Sequence, residues 1–194
     1  MKLKIPNILT IGRIILTPIF IGTFYLPGPM GDWIPFFIFL LASFTDFLDG
    51  LLARLYKEES KLGELLDPIA DKILVAAALV LLVMNGIIKN YEVIAAIVIL
   101  TREILISGLR EFLAKRNEVR VPVSSLAKFK TFIQMLSIAL LLTGETGNKI
   151  INFQDYNAQT IGIVLLWIAA FLTIYTGYAY LIKGIDSAVS DDSK

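Results

Sequence analysis

The sequence predicts an all-α integral membrane protein: a bundle of six transmembrane helices with both termini in the cytoplasm. Three observations carry that expectation. Apolar residues make up 56% of the 194-residue chain, far more than one water-soluble core needs. They gather in six stretches, roughly 8–26, 33–55, 68–89, 92–113, 126–143 and 158–182, each near the ~20 residues that cross a ~30 Å hydrocarbon layer as a helix. The basic residues, finally, favour alternate ends of those stretches.

The first stretch follows Lys2 and Lys4, the layout of a secretory signal, but Pro6, Asn7, Thr10 and Arg13 interrupt it. No small-residue cleavage site follows, so it reads as a retained helix. Pro27-Gly28-Pro29 ends it, since proline and glycine punctuate helices. The second stretch starts near Trp33, the third stops at Asn85-Gly86, and a polar connection from Gly144 to Gln159 separates the fifth from the sixth. Ser190 to Lys194 reads as a frayed tail. No internal repeat is visible, and six spans leave no room for a second soluble domain, so residues 1–194 read as one domain.

Lys2, Lys4, Arg13, Arg54, Lys57, Lys61, Lys115, Arg116, Arg120, Lys128, Lys130 and Lys183 fall on one side of this arrangement, and only Lys89 and Lys149 on the other. Cations concentrate in cytoplasmic loops. The cytoplasmic side therefore holds both termini and the second-to-third and fourth-to-fifth connections, in a multi-pass protein of the cell membrane.

Composition excludes several chemistries. The net charge is +1 and the cations are dispersed beside apolar stretches, so no nucleic-acid partner is expected. With neither cysteine nor histidine, disulfides, thiol nucleophiles, imidazole bases and the usual zinc sites are absent. A general base must be a carboxylate, a lysine or a tyrosine.

Against this background four acids stand out: Asp46, Asp49, Asp67 and Asp71. A charge near the bilayer centre costs about 2.5–3.5 kcal/mol on insertion scales, which makes intramembrane acids functional candidates. Asp46 lies 13 residues after Trp33, about 20 Å in and so ~10 Å short of the cytoplasmic boundary. The third stretch runs the opposite way. Its 17 residues from Asp71 to Ile88 cover ~26 Å and leave Asp71 a few ångströms below the same boundary.

Asp46 and Asp49 are spaced i, i+3 and Asp67 and Asp71 i, i+4, so each pair shares a helix face. Four facing carboxylates repel unless cations sit among them, and hard divalent ions prefer oxygen ligands. Two divalent cations, Mg²⁺ or Mn²⁺, are the expected occupants. Spaced about 3.5–4 Å apart, such ions clamp the attacking and leaving oxygens of a phosphoryl displacement. Gly50 and Ala53 keep the adjoining helix surface small, Gly63 thins the opposite wall, and Arg54 offers a planar fork for a phosphate. The plainer alternative is a surface network pairing the acids with Arg54, Lys61 and Lys72. A divalent-cation transporter is another, but its acids should reach both faces.

The full spacing, Asp-x2-Asp-Gly-x2-Ala-Arg-x8-Gly-x3-Asp-x3-Asp from Asp46 to Asp71, resembles the signature of the CDP-alcohol phosphatidyltransferase family. All eight fixed positions are filled. The resemblance implies a bimetal centre on Asp46, Asp49, Asp67 and Asp71, with Asp71 also deprotonating the acceptor hydroxyl. It implies CDP-diacylglycerol as donor, held by Gly50, Ala53 and Arg54 together with Gly63, and a homodimer. The opening Pro6-Asn7-Ile8-Leu9-Thr10-x2-Arg13 is similar to that of the family's phosphatidylglycerophosphate synthases, which adds Asn7 and Thr10 to the donor site. Asn7, Thr10 and Arg13 have a simpler reading as cap and interfacial anchor of the first helix.

Thr101 to Ala114, read in order Thr-Arg-Glu-Ile-Leu-Ile-Ser-Gly-Leu-Arg-Glu-Phe-Leu-Ala, resembles the same branch and points to sn-glycerol 3-phosphate as acceptor. Arg102 and Arg110 are eight residues apart, about two turns, and so share one side of a helix. They need an anion: Glu103 or Glu111 within the chain, or the phosphate of the acceptor. Lys128 and Lys130 could close that phosphate pocket or simply flank the fifth helix. The alternative acceptors within the family are phosphatidylglycerol, as in cardiolipin synthesis, and an inositol phosphate.

Overall fold

The apolar stretches become helices whose ends fall where backbone chemistry places them. The computed structural model describes residues 5–56, 61–115, 125–153 and 156–191, with side-chain surroundings for 9–46, 48, 66, 69–70, 72–109, 126–151, 156–178 and 180–182. The elements are α1 (Ile5–Thr23), α2 (Pro29–Tyr56), α3 (Lys61–Met84), α4 (Glu92–Lys115), α5 (Ser125–Leu142), α6 (Gly144–Ile150), β1 (Asn152–Phe153), β2 (Tyr156–Asn157) and α7 (Ala158–Asp191). Among the described residues the protein is mostly helical, and six long helices coincide with the six apolar stretches.

Helix α2 starts at Pro29, four residues before the expected Trp33. Proline's missing N–H and fixed φ suit the first helical position, and Asp32 in the first turn complements the helix dipole. Helix α3 stops at Gly86, whose φ of +66° lets the amides of Gly86, Ile87 and Ile88 turn back onto the carbonyls of Val83 and Leu82. Helix α7 begins on Asn157, whose Oδ1 accepts from the Thr160 backbone N–H at 2.8 Å and from its hydroxyl at 3.0 Å. That is the capping chemistry asparagine favours at this position.

The expected polar connection from Gly144 to Gln159 is instead ordered into α6 and an antiparallel pair of two-residue strands, with Asn152 opposite Asn157 and Phe153 opposite Tyr156. A 95° bend separates α5 from α6. Gly144 makes the bend with φ +53°, and a Cβ there would lie 2.2 Å from Asp32 Oδ1. The Asp32 carboxylate fills that space and accepts from the Thr146 amide at 3.0 Å and its hydroxyl at 2.6 Å. Sequence spacing offers no hint of this clasp, because its partners lie 114 residues apart.

The chain forms two compact units. The first comprises residues 1–89 and 138–162. Here α1 packs against both α2 and α3, with Phe20 wholly buried, edge-on to Phe24 at 5.3 Å and 6.4 Å from Phe39. Gly162 lets the start of α7 approach the end of α5 so closely that a Cβ would meet Leu141 at 2.8 Å, the small-residue packing that membrane helices use. The second unit comprises 90–137 and 163–194. Its core includes Ala95, Ala96, Ile99 and Ile106 of α4, and Leu166, Ala169 and Ala170 of α7.

Both units carry an inverted polarity. Phe37, Phe44, Phe129, Phe132, Phe171 and Ile174 are exposed, while Arg13, Thr17, Lys130, Gln134, Thr173 and Thr176 are buried. Extensive exposed apolar surface is what a bilayer contact face requires. Tyr180 points inward and Tyr175 and Tyr178 outward, which settles three tyrosines whose spacing alone fits either side. Among the described residues, Ala158–Ile182 is by itself long and apolar enough to span a membrane.

Candidate functional site

Both halves of the signature lie on helices of the first unit. Asp46, Asp49, Gly50, Ala53 and Arg54 occupy the C-terminal half of α2, and Gly63, Asp67 and Asp71 the N-terminal half of α3. The helical register gives each acid pair the one-turn spacing expected for a shared face. Among the four acids, Asp46 has its side chain within the described residues. Those of Asp49, Asp67 and Asp71 fall outside them, as do those of Asn7, Ala53, Arg54 and Arg110 and the surroundings of Gly50 and Gly63.

Asp46 is where the structure adds most. Its Oδ1 accepts a hydrogen bond from Arg13 Nη1 of α1, across 33 residues of sequence. The exposures are lopsided: the Arg13 side chain is 1% exposed and that of Asp46 44%. Burying an arginine in apolar packing is tolerable only when its charge is compensated, and Asp46 provides compensation while its own far side faces outward. Among the described residues no hydrogen bond engages Asp46 Oδ2. A carboxylate steadied through one oxygen and open at the other is how metal-ligating acids are commonly held. The donor set, carboxylate oxygens with no sulfur or imidazole in the chain, fits a hard divalent cation.

Arg13 is therefore neither an interfacial anchor nor one of the flanking cations. Its neighbour one turn back, Thr10, is wholly buried, and with α1 starting at Ile5 Thr10 lies inside the helix rather than at its cap. Thr17 Oγ1 donates to the Arg13 carbonyl at 3.1 Å, the i−4 bond a threonine hydroxyl makes inside a helix.

The second unit gathers the residues expected to meet the acceptor. Lys130 of α5 donates through Nζ to Glu103 Oε1 of α4. Arg102 Nη1 lies 3.6 Å from that same oxygen, and Arg102 Nη2 donates to Thr176 Oγ1 of α7 at 3.2 Å. The arginine stem lies along Gly177, where a Cβ would come within 3.1 Å of Arg102 Cγ. Lys130 is 3% exposed in its side chain and so is no flanking cation, whereas Lys128, two residues earlier, is exposed. The structure thus brings Arg102 and Lys130 together through Glu103 and turns Lys128 away from Lys130.

Sequence reasoning missed Arg13 as a partner of Asp46, and Thr176 and Gly177 altogether. Arg13 carried a signal in the Pro6 to Arg13 motif. Thr176 and Gly177 carried none, being ordinary small residues of an apolar helix.

A model of the CDP-alcohol phosphatidyltransferase family matches residues 3–175. The chain belongs to that family. It is 47% identical to a CDP-diacylglycerol–glycerol-3-phosphate 3-phosphatidyltransferase of Rickettsia bellii over 91% of this chain and 93% of the relative. Proteins bearing the same name from Haemophilus influenzae and Cereibacter sphaeroides are 43% and 37% identical, over 93% and 95% of this chain and 93% and 97% of their own. The family is membrane-embedded and generally depends on divalent cations.

Proposed function

We propose that this chain transfers the phosphatidyl group of CDP-diacylglycerol to sn-glycerol 3-phosphate, giving phosphatidylglycerophosphate and CMP. The observation that carries the reading is the placement of both signature halves, complete, on α2 and α3 of one unit. It occurs in a chain 37–47% identical, over more than nine-tenths of its length, to proteins named for that activity. The exposed apolar residues, together with the excess of cations at one side, support six spans in one domain, with both termini and the site on the cytoplasmic face of the cell membrane. The family resemblance supports a homodimer.

Asp46, Asp49, Asp67 and Asp71 would hold two divalent cations, Mg²⁺ or Mn²⁺. When bound, such ions neutralise the donor pyrophosphate and the charge that develops on transfer. Asp71 takes the proton of the acceptor's hydroxyl. The freed oxygen bonds to the β-phosphorus of CDP-diacylglycerol in line with the departing oxygen, whose bond electrons leave with CMP. Arg54 holds the donor phosphates through its fork, and Asn7, Thr10, Gly50, Ala53 and Gly63 shape the room for the cytidine part. Arg102, Arg110 and Lys130 serve the acceptor's phosphate, and the exposed Lys128 does not. Chemistry at the cytoplasmic boundary suits the substrates, since the acyl chains stay in lipid while the acceptor arrives from water.

The test is acceptor-dependent CMP release by purified protein given CDP-diacylglycerol. Glycerol 3-phosphate should support release, and phosphatidylglycerol and inositol phosphate should not. Release with either of those but none with glycerol 3-phosphate overturns the acceptor assignment. Divalent-cation flux into proteoliposomes without CMP formation overturns the enzymatic reading.

A further inference from the structure

The second unit carries buried polar side chains in two helical rows. On α5, Lys130, Gln134 and Ser137 are spaced i, i+4 and i+7 and all are buried, so they share one face of the helix. On α7, Thr173 and Thr176 are spaced i, i+3 and are buried as well. Both rows turn toward α4, because Lys130 donates to Glu103 and Arg102 donates to Thr176 at 3.2 Å. Gln134 thus lies one turn from Lys130, and Thr173 one turn from the threonine that Arg102 meets.

One atom in each row breaks the usual pattern. Gln134 Oε1 and Thr173 Oγ1 are enclosed and, among the described residues, have no hydrogen-bond partner. For the threonine the departure is specific. The buried Thr17, Thr23, Thr143 and Thr176 each donate to a backbone carbonyl three or four residues back, at 3.1, 2.6, 2.6 and 2.7 Å, whereas the wholly buried Thr173 does not. Enclosed polar atoms in native proteins are nearly always paired, since leaving one unpaired is costly. The needs of these two are complementary: an amide oxygen only accepts, and a hydroxyl both donates and accepts. A single ligand hydroxyl satisfies both, donating to Gln134 Oε1 while its oxygen accepts from Thr173 Oγ1.

We propose that Gln134 and Thr173 bind the central hydroxyl of glycerol 3-phosphate, leaving the terminal hydroxyl to react, and so select this acceptor over phosphates of alcohols that lack it. The rise of one helical turn, about 5.4 Å, is comparable to the reach from phosphate to central hydroxyl in that molecule. The proposal rests on the reading that Arg102 and Lys130 serve the acceptor's phosphate, whatever further groups those two cations touch.

Two acceptors test it on the full-length protein in detergent-lipid micelles: glycerol 3-phosphate, and 3-hydroxypropyl phosphate, which keeps the phosphate and the terminal hydroxyl but lacks the central one. CMP release from CDP-diacylglycerol gives kcat/KM for each. The original protein should favour glycerol 3-phosphate about 10–100-fold, the effect of leaving enclosed polar atoms unpaired when the hydroxyl is missing. Gln134→Met keeps the reach of the side chain without its carbonyl, and Thr173→Val keeps the shape without the hydroxyl. The first should cut the preference about tenfold and the second a few-fold, and Thr173→Ser should restore it. Equal preference for the two acceptors in the original protein overturns the proposal. A preference that survives in both variants overturns it too, and leaves water as the partner of these atoms. Equal loss on both acceptors also refutes it, because it marks a merely structural role. Should Gln134→Met fail to fold, Thr173→Val and Thr173→Ser decide by the same ratio. Lys130→Ala, measured alongside, separates the two layers. A KM unchanged for both acceptors removes the phosphate reading, whereas a raised KM beside an undiminished preference in the Gln134 and Thr173 variants removes only the hydroxyl contact.

Discussion

Two buried ionic contacts among the described residues differ in how far their acids are exposed. In the first unit the cation, Arg13, is enclosed and its acid partner, Asp46, is nearly half exposed. In the second, Lys130 is enclosed, Glu103 is mostly so, and a second cation leans on the same carboxylate oxygen. The difference separates two uses of a buried charge. An acid fixed from behind but open in front is ready to share its charge with an incoming ion. An acid wedged between two cations is committed, and its value lies in the geometry it imposes.

The contrast can be broken hardest at the open end. Asp71→Asn should cost about 10²–10⁴ in turnover, the range for losing a general base, while CDP-diacylglycerol binding largely survives. Complete loss of donor binding in that variant would count against a base role. The next effect down tests the asymmetry of Arg13 and Asp46 directly. Asp46→Ala removes a charged partner of an enclosed guanidinium and should lower stability by up to about 3 kcal/mol, read as a drop in Tm in detergent. Arg13→Met strands only a carboxylate that water can reach, and should cost under about 1 kcal/mol. It should still weaken Mn²⁺ binding about 10–100-fold, as loss of a residue supporting a ligand does. Equal losses of stability would show that exposure does not distinguish the partners.

Much of the molecule is legible in its sequence, and the reasons are physical. The six long helices follow from apolar length, and proline and glycine mark most of their ends. The signature is legible because helical periodicity converts spacing into a shared face within one or two turns. Contacts between distant segments are another matter. Nothing local in Arg13 says that its partner is Asp46, because that pairing depends on α1 packing against α2. Lys130 and Glu103, 27 residues apart, pose the same problem. Helix α6 escaped notice because its sequence, Gly-Glu-Thr-Gly-Asn-Lys-Ile, is polar and rich in glycine, and its order comes from Asp32.

The smallest effect sharpens the other side of the comparison. Lys128 and Lys130 look alike in sequence, yet one is exposed and the other bonded to Glu103. Lys128→Ala should change the KM for glycerol 3-phosphate by less than about twofold, and Lys130→Ala by clearly more. Similar changes would mean that burial beside Glu103 does not select the functional lysine.

The clasp between Asp32 and Thr146 carries a consequence for the order in which the chain is assembled. It closes a loop of 114 residues, and contacts that close long loops form late because chain entropy opposes them. The unit it belongs to is split in sequence, 1–89 and then 138–162. The part of the protein made first is thus completed only after all of α4 and α5 have left the ribosome, and α2 waits with its N-terminal acid for a threonine synthesised long afterwards.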